Sequence, residues 1–220
     1  MDRQTTGQLF AGAPTTRGLL RHMGVGSGSG ELEIQIIRAL LEKFKCIYNL
    51  VIEPSTYQID LYKKLVRNNK ELSAAVEFDW RQQTLEDYIA SDDGRGRGEF
   101  DVITSVHTIY YGGPMEYNVP YLFDLLAEGG VLAIVLLSDT DSLSQVQRHF
   151  LSPSIAGYRY YTKQKLQSFL TTSNVSHQTI DVPRFNIDVT PCFDYSSKEG
   201  SLLVVGKATY SINKKYRQKI

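Results

Sequence analysis

A run of alternating glycines most constrains what this chain can fold into. The residues Gly26-Ser27-Gly28-Ser29-Gly30 separate a short apolar stretch from a longer stretch in which apolar side chains recur at helical spacing. Glycine allows a backbone to turn tightly and to approach a ligand without Cβ clashes. The pattern predicts a strand, a tight loop and a helix, with the loop available for ligand binding.

An acidic residue follows the next apolar stretch. Glu53 comes directly after Tyr48–Ile52, about twenty residues past the glycine run, where a carboxylate could accept hydrogen bonds from a ribose diol. The spacing G-x-G-x-G differs from the G-x-G-x-x-G of dinucleotide binders, and no Lys-Ser/Thr pair follows, which excludes a P-loop. The loop suits a nucleoside cofactor without a pyrophosphate, such as S-adenosylmethionine. A flexible glycine–serine linker is the alternative interpretation.

Strand and helix patterns alternate at least five times along the chain. The predicted strands are Gly18–Val25, Tyr48–Ile52, Val76–Trp80, Phe100–Val106 and Val131–Leu137. The predicted helices cover Glu31–Phe44, a segment opened by Pro54, Thr84–Ala90, Tyr117–Ala127 ended by Gly129-Gly130, and Thr162–Leu170. This alternation predicts an α/β fold with a doubly wound, mostly parallel sheet. Two more strands, His177–Val182 and Leu202–Val205, are predicted as an antiparallel pair at the edge, which gives seven strands.

Several polar or glycine-rich segments fall at the carboxyl ends of the predicted strands. They are the glycine run, Glu53, Trp80–Leu85 and Val106-His107. Doubly wound sheets bind ligands at these ends, near the point where the strand order reverses. The convergence of four segments predicts the binding site there.

Charge and cysteine content narrow the class of protein. The chain has 24 basic and 24 acidic residues, so no overall field favours nucleic acid or an anionic membrane. Cys46 and Cys192 have no metal-site spacing and are interpreted as reduced thiols of a cytoplasmic protein. We expect a monomer with neither nucleic-acid nor membrane partners and no metal. We also expect residues 1–17 to be poorly ordered, 18–210 to form one domain, and 211–220 to be a basic tail.

Short motifs extend from Val25 to Phe193 in a characteristic order. They are Gly26–Glu31 with Gln35-Ile36, Val51-Ile52-Glu53-Pro54-Ser55 with Gln58, Phe78-x-Trp80 with Thr84, Tyr110-Tyr111, Tyr160-x-Thr162, and Asp188-x-x-x-Cys192-Phe193. In order and spacing they resemble the class I S-adenosylmethionine-dependent methyltransferases, and within them the histamine N-methyltransferase family. The resemblance implies S-adenosylmethionine as the cofactor and a small, histamine-like amine as the methyl acceptor.

The resemblance also assigns cofactor-binding positions. Gly26, Ser27, Gly28 and Gly30 would pass under the methionine part of the cofactor, and Glu53 would hold the ribose hydroxyls. The remaining positions that the family implies are Gln58 beside the ribose, Thr84 and Leu85 along the adenine, and Val106 and His107 lining the pocket. The family has a serine where Leu85 stands, so a backbone contact is the one expected there.

The acceptor positions depart from the family. His107 occupies the place of a substrate-contacting glutamine and is the candidate catalytic residue; it could hydrogen-bond the acceptor, take its proton, or merely complete the strand end. Tyr110 and Tyr111 would form part of an aromatic wall, with core packing as the alternative. Leu143 and Gln147 stand where the family has two tryptophans.

Three other functions stay open at this point. The chain could methylate a different small molecule or a protein, or it could be a non-catalytic protein that keeps the fold for binding. A nicotinamide oxidoreductase is disfavoured by the spacing of the glycines.

Overall fold

The described part of the chain divides into two compact units. A computed structural model describes residues 18–91, 97–140, 159–181, 188, 190–194 and 196–198. One unit runs over Met1–Ile180 and the other over Asp181–Ile220, where Thr190–Phe193 forms a short 3-10 helix. The segments 1–17 and 211–220, for which disorder and a basic tail are predicted, lie outside the described residues. No helix in the described ranges is long and apolar enough to cross a membrane.

The first unit is built on a five-stranded sheet. Its strands are β1 (Leu19–Val25), β2 (Cys46–Ile52), β3 (Val76–Arg81), β4 (Phe100–Val106) and β5 (Leu126–Val135). Their order is β3-β2-β1-β4-β5, and every neighbouring pair is parallel. The predicted parallel, doubly wound arrangement is therefore confirmed.

The prediction of seven strands with an antiparallel edge is wrong for the described residues. His177–Asp181 forms no strand, because four of its five side chains are polar and exposed and the segment offers little apolar surface to bury. Thr179 instead accepts a hydrogen bond from the amide of Gln167 at 2.7 Å. The other predicted strand, 202–205, lies outside the described residues.

In the residues that the structure describes, six α-helices accompany the sheet. They are α1 (Glu31–Leu41), α2 (Thr56–Arg67), α3 (Lys70–Ala75), α4 (Leu85–Ser91), α5 (Met115–Asp124) and α6 (Lys163–Thr172). Helix α2 begins after Ser55, whose hydroxyl caps it, and not at Pro54 as predicted. Helix α3 was not predicted; Asn69 caps it and Leu72 anchors it in the core.

Strand β5 begins earlier than predicted. Helix α5 ends at Asp124, and Leu126 already pairs with Phe100 before the register shifts. A Cβ at Gly130 would lie 2.9 Å from the carbonyl oxygen of Phe100, so the close approach requires glycine. Gly129-Gly130 thus forms a bulge within the strand and not, as predicted, the end of a helix.

Each face of the sheet is covered by its own set of helices. Side chains from α1, α2 and α3, including Ile37, Tyr62 and Leu72, pack on one face. Side chains from α4 and α5, including Leu85 and Leu122, pack on the other. The apolar side chains are thereby buried along the faces, and the loops at the carboxyl ends of the strands are left to form a site.

Candidate functional site

The register of the strands brings the predicted site residues together at the carboxyl ends of the strands. Val25 at the end of β1 pairs with Ile52 of β2 and with Ser105 of β4. The glycine loop, Glu53 and His107 follow these positions and therefore emerge side by side. Because β1 lies between β2 and β4, this end of the sheet contains the point where the strand order reverses.

The glycine loop, residues 26–30, requires glycine at three positions because of its backbone conformation. Gly26, Gly28 and Gly30 have φ values of 65°, 56° and 83°, which side-chain-bearing residues rarely adopt. The N–H of Gly26 donates to the carbonyl of Ile52 at 2.7 Å, and that of Gly30 donates to the carbonyl of Ser27 at 3.1 Å. Among the described residues, apart from its two chain neighbours, no atom lies within 4 Å of the place where a Cβ of Gly28 would be, so there is open space beside the loop.

Glu53 joins the loop to the start of α2. One carboxylate oxygen accepts the N–H of Gly28 at 2.9 Å and the other accepts the N–H of Ser55 at 2.9 Å. The residue is only 8% exposed. Each carboxylate oxygen has two lone pairs, so one acceptor site on each oxygen is left for a hydroxyl-bearing ligand.

Thr108 is a loop-supporting residue that the sequence did not indicate. Its hydroxyl donates to the carbonyl of Val25 at 2.8 Å, so the Ser105 hydroxyl, 2.8 Å away, is the donor in their mutual hydrogen bond. Its methyl group would lie 2.4 Å from a Cβ at Gly26. The end of β4 is thereby held against the glycine loop. The available signal was a hydroxyl residue two positions beyond the end of a predicted strand.

The residues predicted to border an adenine lie at the start of α4. The Thr84 hydroxyl donates to the carboxylate of Asp87 at 2.7 Å and accepts the N–H of Asp87 at 3.0 Å, so Thr84 caps the helix. Leu85 is 6% exposed and its side chain packs in the core. A ligand at this position would therefore meet the backbone at Leu85. Gln58, on the first turn of α2, is half-buried.

His107 stands at the end of β4 in a rarely adopted backbone conformation. Its φ is 54°, and its N–H donates to the carbonyl of Val135 at 3.0 Å. The exposed imidazole stacks on the ring of Tyr110 with 6.4 Å between the ring centroids, and Nδ1 lies 3.4 Å from the Tyr110 oxygen. Non-glycine residues in this region of φ are uncommon and concentrate at functional sites. Val106, just before it, is half-buried.

The two tyrosines that follow have different environments. Tyr110 is 4% exposed, its oxygen accepts the N–H of Leu137 at 3.1 Å, and burial raises the pKa of Tyr110 to about 12. It is therefore a neutral phenol at physiological pH. Tyr111 meets it edge-on at 6.1 Å and is 42% exposed. Tyr110 thus belongs to the core while Tyr111 faces solvent; Leu143 and Gln147 lie outside the described residues.

A buried polar network under the glycine loop also escaped sequence analysis. His22 Nδ1 lies 2.6 Å from the Asn49 amide oxygen, and Nε2 lies 3.0 Å from the Thr104 hydroxyl. The Asn49 amide nitrogen and the Tyr62 hydroxyl donate to one oxygen of Glu33, at 2.9 Å and 3.2 Å. All five residues are buried. Because the Asn49 oxygen can only accept, Nδ1 of His22 carries the proton and Nε2 accepts from Thr104.

One signal of this network was present in the sequence. Glu33 precedes Ile37 by four positions and Leu40 by seven, so the carboxylate lies on the apolar face of α1. A charged residue on a buried helix face requires hydrogen-bond partners. The identity of those partners becomes visible only in the folded register.

The site fits a nucleoside cofactor on three observations. Space is open beside Gly28, and Glu53 keeps unused acceptor sites. In addition, the buried hydroxyl oxygen of Ser27 has no hydrogen-bond partner within the described ranges. An unpartnered buried polar atom in a loop that offers space to a ligand is the feature expected of a binding site.

Known proteins were compared with both the sequence and the fold. No protein-family model matches the sequence. The chain is 25% identical to histamine N-methyltransferase of Mus musculus over 209 residues, which cover 92% of this chain and 70% of that protein. It is 26% identical to carnosine N-methyltransferase 2 of Gallus gallus over 198 residues, which cover 87% of this chain and 61% of that protein.

Solved structures share the fold at low sequence identity. The YcgJ protein of Bacillus subtilis aligns with a TM-score of 0.57 and 12% identity, over 99% of this chain and 88% of that chain. Geranyl diphosphate methyltransferase in complex with S-adenosylmethionine aligns with a TM-score of 0.53 and 13% identity, over 96% of this chain and 75% of that chain.

Proposed function

Because the chain is a class I S-adenosylmethionine-dependent methyltransferase, we propose that it transfers the methyl group to a nitrogen atom of a small amine. The two relatives carry names that specify N-methylation of histamine and of carnosine, which supports a nitrogen acceptor but not one particular molecule. The observation that carries the cofactor part of the proposal is the hydrogen bond from Gly28 to Glu53. It joins the glycine loop to an acid that can accept ribose hydroxyls, at the point where the strand order reverses.

The loop and Glu53 are the proposed cofactor-binding residues. When bound, S-adenosylmethionine supplies an electrophilic methyl group on a sulfonium. The positive φ values of Gly26 and Gly28 let the backbone approach a ligand closely. Glu53 can keep its bonds to Gly28 and Ser55 while it accepts two ribose hydroxyls with its remaining lone pairs. The unpartnered hydroxyl of Ser27 is a further contact point.

His107 is the residue that we propose binds the methyl acceptor. The Tyr110 hydroxyl lies 3.4 Å from Nδ1 and, as a phenol, can either donate to that nitrogen or accept from it. In the first case Nε2 carries a proton and donates to the acceptor molecule. In the second case Nδ1 carries the proton of the neutral ring, and Nε2 can take a proton from the amine. In both cases we expect Nε2 to be the atom that contacts the methyl acceptor.

The main catalytic contribution of these residues is positioning. Methyl transfer is an in-line displacement, and holding two reactants in line removes much of the entropic barrier of a bimolecular encounter. Glu53 on the β2 side and His107 on the β4 side are suited to hold one reactant each. The exposed ring of Tyr111 offers an aromatic surface to a cationic group, an interaction of about 0.5–1 kcal/mol at an exposed site.

Calorimetric titration of the full chain with S-adenosylmethionine and with S-adenosylhomocysteine tests the cofactor site. We expect wild-type binding at about micromolar Kd and a loss of about 1–3 kcal/mol in Glu53→Ala. Glu99→Ala is the matched control, because this carboxylate lies just before β4, at the amino ends of the strands, whereas the proposed site lies at their carboxyl ends. A wild-type chain that binds neither compound would favour the non-catalytic alternative. Unchanged affinity in Glu53→Ala would remove Glu53 from the site.

Turnover of histamine, carnosine and other small amines tests the acceptor site. Glutamine can hydrogen-bond but cannot take up a proton, whereas alanine can do neither. If His107 orients the acceptor, His107→Gln keeps turnover within about fivefold and His107→Ala loses it; if His107 is the base, both variants lose turnover. Equal kinetics in all three proteins would make His107 structural. Cofactor binding without methylation of any small amine would favour a different small molecule or a protein as acceptor.

A further inference from the structure

The glycine loop rests on side chains that solvent does not reach. A Cβ at Gly24, just before the loop, would lie 2.0 Å from a carboxylate oxygen of Glu33, and a Cβ at Gly30 would lie 2.2 Å from the ring of Tyr62. Tyr62 is 0% exposed and Glu33 is 6% exposed. The backbone at both ends of the loop therefore lies directly against Glu33 and Tyr62.

The same two side chains also hold the elements that carry Glu53. The Tyr62 hydroxyl on α2 and the Asn49 amide on β2 both donate to Glu33, which lies on the helix that follows the loop. Strand β2 ends immediately before Glu53, and α2 begins just after it. The loop and the acid are thus joined twice, at the site by the Gly28–Glu53 hydrogen bond and in the core by Glu33 with its two donors.

We propose that Glu33 and Tyr62 are positioning residues for the cofactor, which set the distance between the glycine loop and Glu53 without touching the ligand. This inference rests on the proposed function of the site. If the core connection is lost, the loop can move relative to Glu53, and a ligand must restore the arrangement when it binds. Cofactor affinity therefore depends on a hydrogen bond that lies in the core.

The test compares two tyrosines that each donate to a carboxylate. Tyr62→Phe removes the hydroxyl under the loop and keeps the ring against Gly30. Tyr48→Phe removes a similar hydrogen bond, 3.0 Å to Asp79, on the opposite face of the sheet. Glu33→Met is a second variant, of similar side-chain length, that removes the oxygen which accepts from both Tyr62 and Asn49. Each protein is titrated with S-adenosylhomocysteine well below its melting temperature, and amide exchange of the glycines is followed by NMR after selective labelling.

We expect Tyr62→Phe to weaken affinity about three- to tenfold, as the loss of one buried hydrogen bond does, and Glu33→Met, which loses two, to weaken it at least as much. Both variants should speed amide exchange at Gly28 and Gly30. Tyr48→Phe should bind like wild type even if its melting temperature falls. Affinities within about twofold of wild type and unchanged glycine exchange in both network variants would overturn the inference. If wild type itself bound no cofactor, the proposed function would fail, and the exchange rates alone would decide whether Tyr62 and Glu33 position the loop.

Discussion

Neighbouring residues of β1 and β2 form two very different polar clusters on the two faces of the sheet. On one face His22 and Asn49 are buried and continue into Glu33 and Tyr62 through hydrogen bonds. On the other face their neighbours Arg21 and Tyr48 are partly exposed. There the Arg21 guanidinium pairs with Glu99 at 2.9 Å and lies over the Tyr48 ring at 4.6 Å.

The difference between the faces is access to water. A broken hydrogen bond in the buried cluster leaves a donor or acceptor that nothing replaces, whereas a broken ion pair on the other face is replaced by hydration. The exposed cluster extends to Asp79, which accepts from Tyr48 at 3.0 Å and pairs with Arg81 at 2.8 Å. Contacts of similar length in the two clusters therefore differ in the free energy that they contribute to folding.

The largest loss of stability is expected for Glu33→Ala. This change leaves the Asn49 amide and the Tyr62 hydroxyl without their shared acceptor in the core. We expect the free energy of unfolding, measured in urea, to fall by about 3 kcal/mol. A loss below about 1 kcal/mol would mean that the buried cluster is no more valuable than the exposed one.

An intermediate loss of stability is expected when the pH falls and His22 is protonated. Burial lowers the pKa of His22 below its ordinary 6.5, although Glu33 and the hydrogen bond to Asn49 act in the opposite direction. Between the folded and the unfolded pKa the unfolded chain binds more protons, so stability rises with pH there and is lost as the pH falls below about 6.5. The slope attributable to one such group is at most about 1.4 kcal/mol per pH unit.

Urea unfolding of wild type and His22→Gln between about pH 7.5 and pH 5 measures this contribution. The wild-type curve should be the steeper of the two, because the variant lacks the titrating group. Parallel curves would show that His22 is protonated equally easily in the folded and unfolded chain, which would contradict its burial.

The smallest effect is expected for Glu99→Ala on the exposed face. Arg21 and Glu99 retain 30% and 48% of their side-chain exposure, so water replaces the lost ion pair. We expect a loss below about 1 kcal/mol that disappears in about 1 M salt. A larger, salt-independent loss would remove the distinction between the faces.

The parts of the fold that sequence predicts are those with local causes. Four of the five strands are largely apolar runs, β3 alternates apolar and charged residues, and the glycine loop is formed by glycines with positive φ. Helix α3 escaped prediction because six residues carry little periodicity and depend on the burial of Leu72. Gly129-Gly130 was misassigned because adjacent glycines suit a helix end as well as a strand bulge.

The residues of the candidate site also fall into two groups, those that the sequence predicts and those that only the folded structure reveals. Glu53 could be found from its distance to the glycine loop, since both belong to one βαβ unit. The support from Thr108, Tyr62 and Asn49 could not, because it depends on side chains that only the register of distant strands brings together. Sequence spacing identifies residues that could contact a ligand; packing determines which residues hold them in place.

The strand order also has a consequence for how the chain folds. Strands β1, β2 and β3 pair in chain order, so the half of the sheet with the glycine loop, Glu53 and most of the buried network can form from local contacts. The pairing of β1 with β4 instead joins residues that are distant in the chain, such as Arg21 and Asp101, which are 80 positions apart. Closing that long loop is the slower step, because its entropy must be lost before the new contacts form. During synthesis, the proposed cofactor half can therefore assemble before His107 and its tyrosines dock beside it.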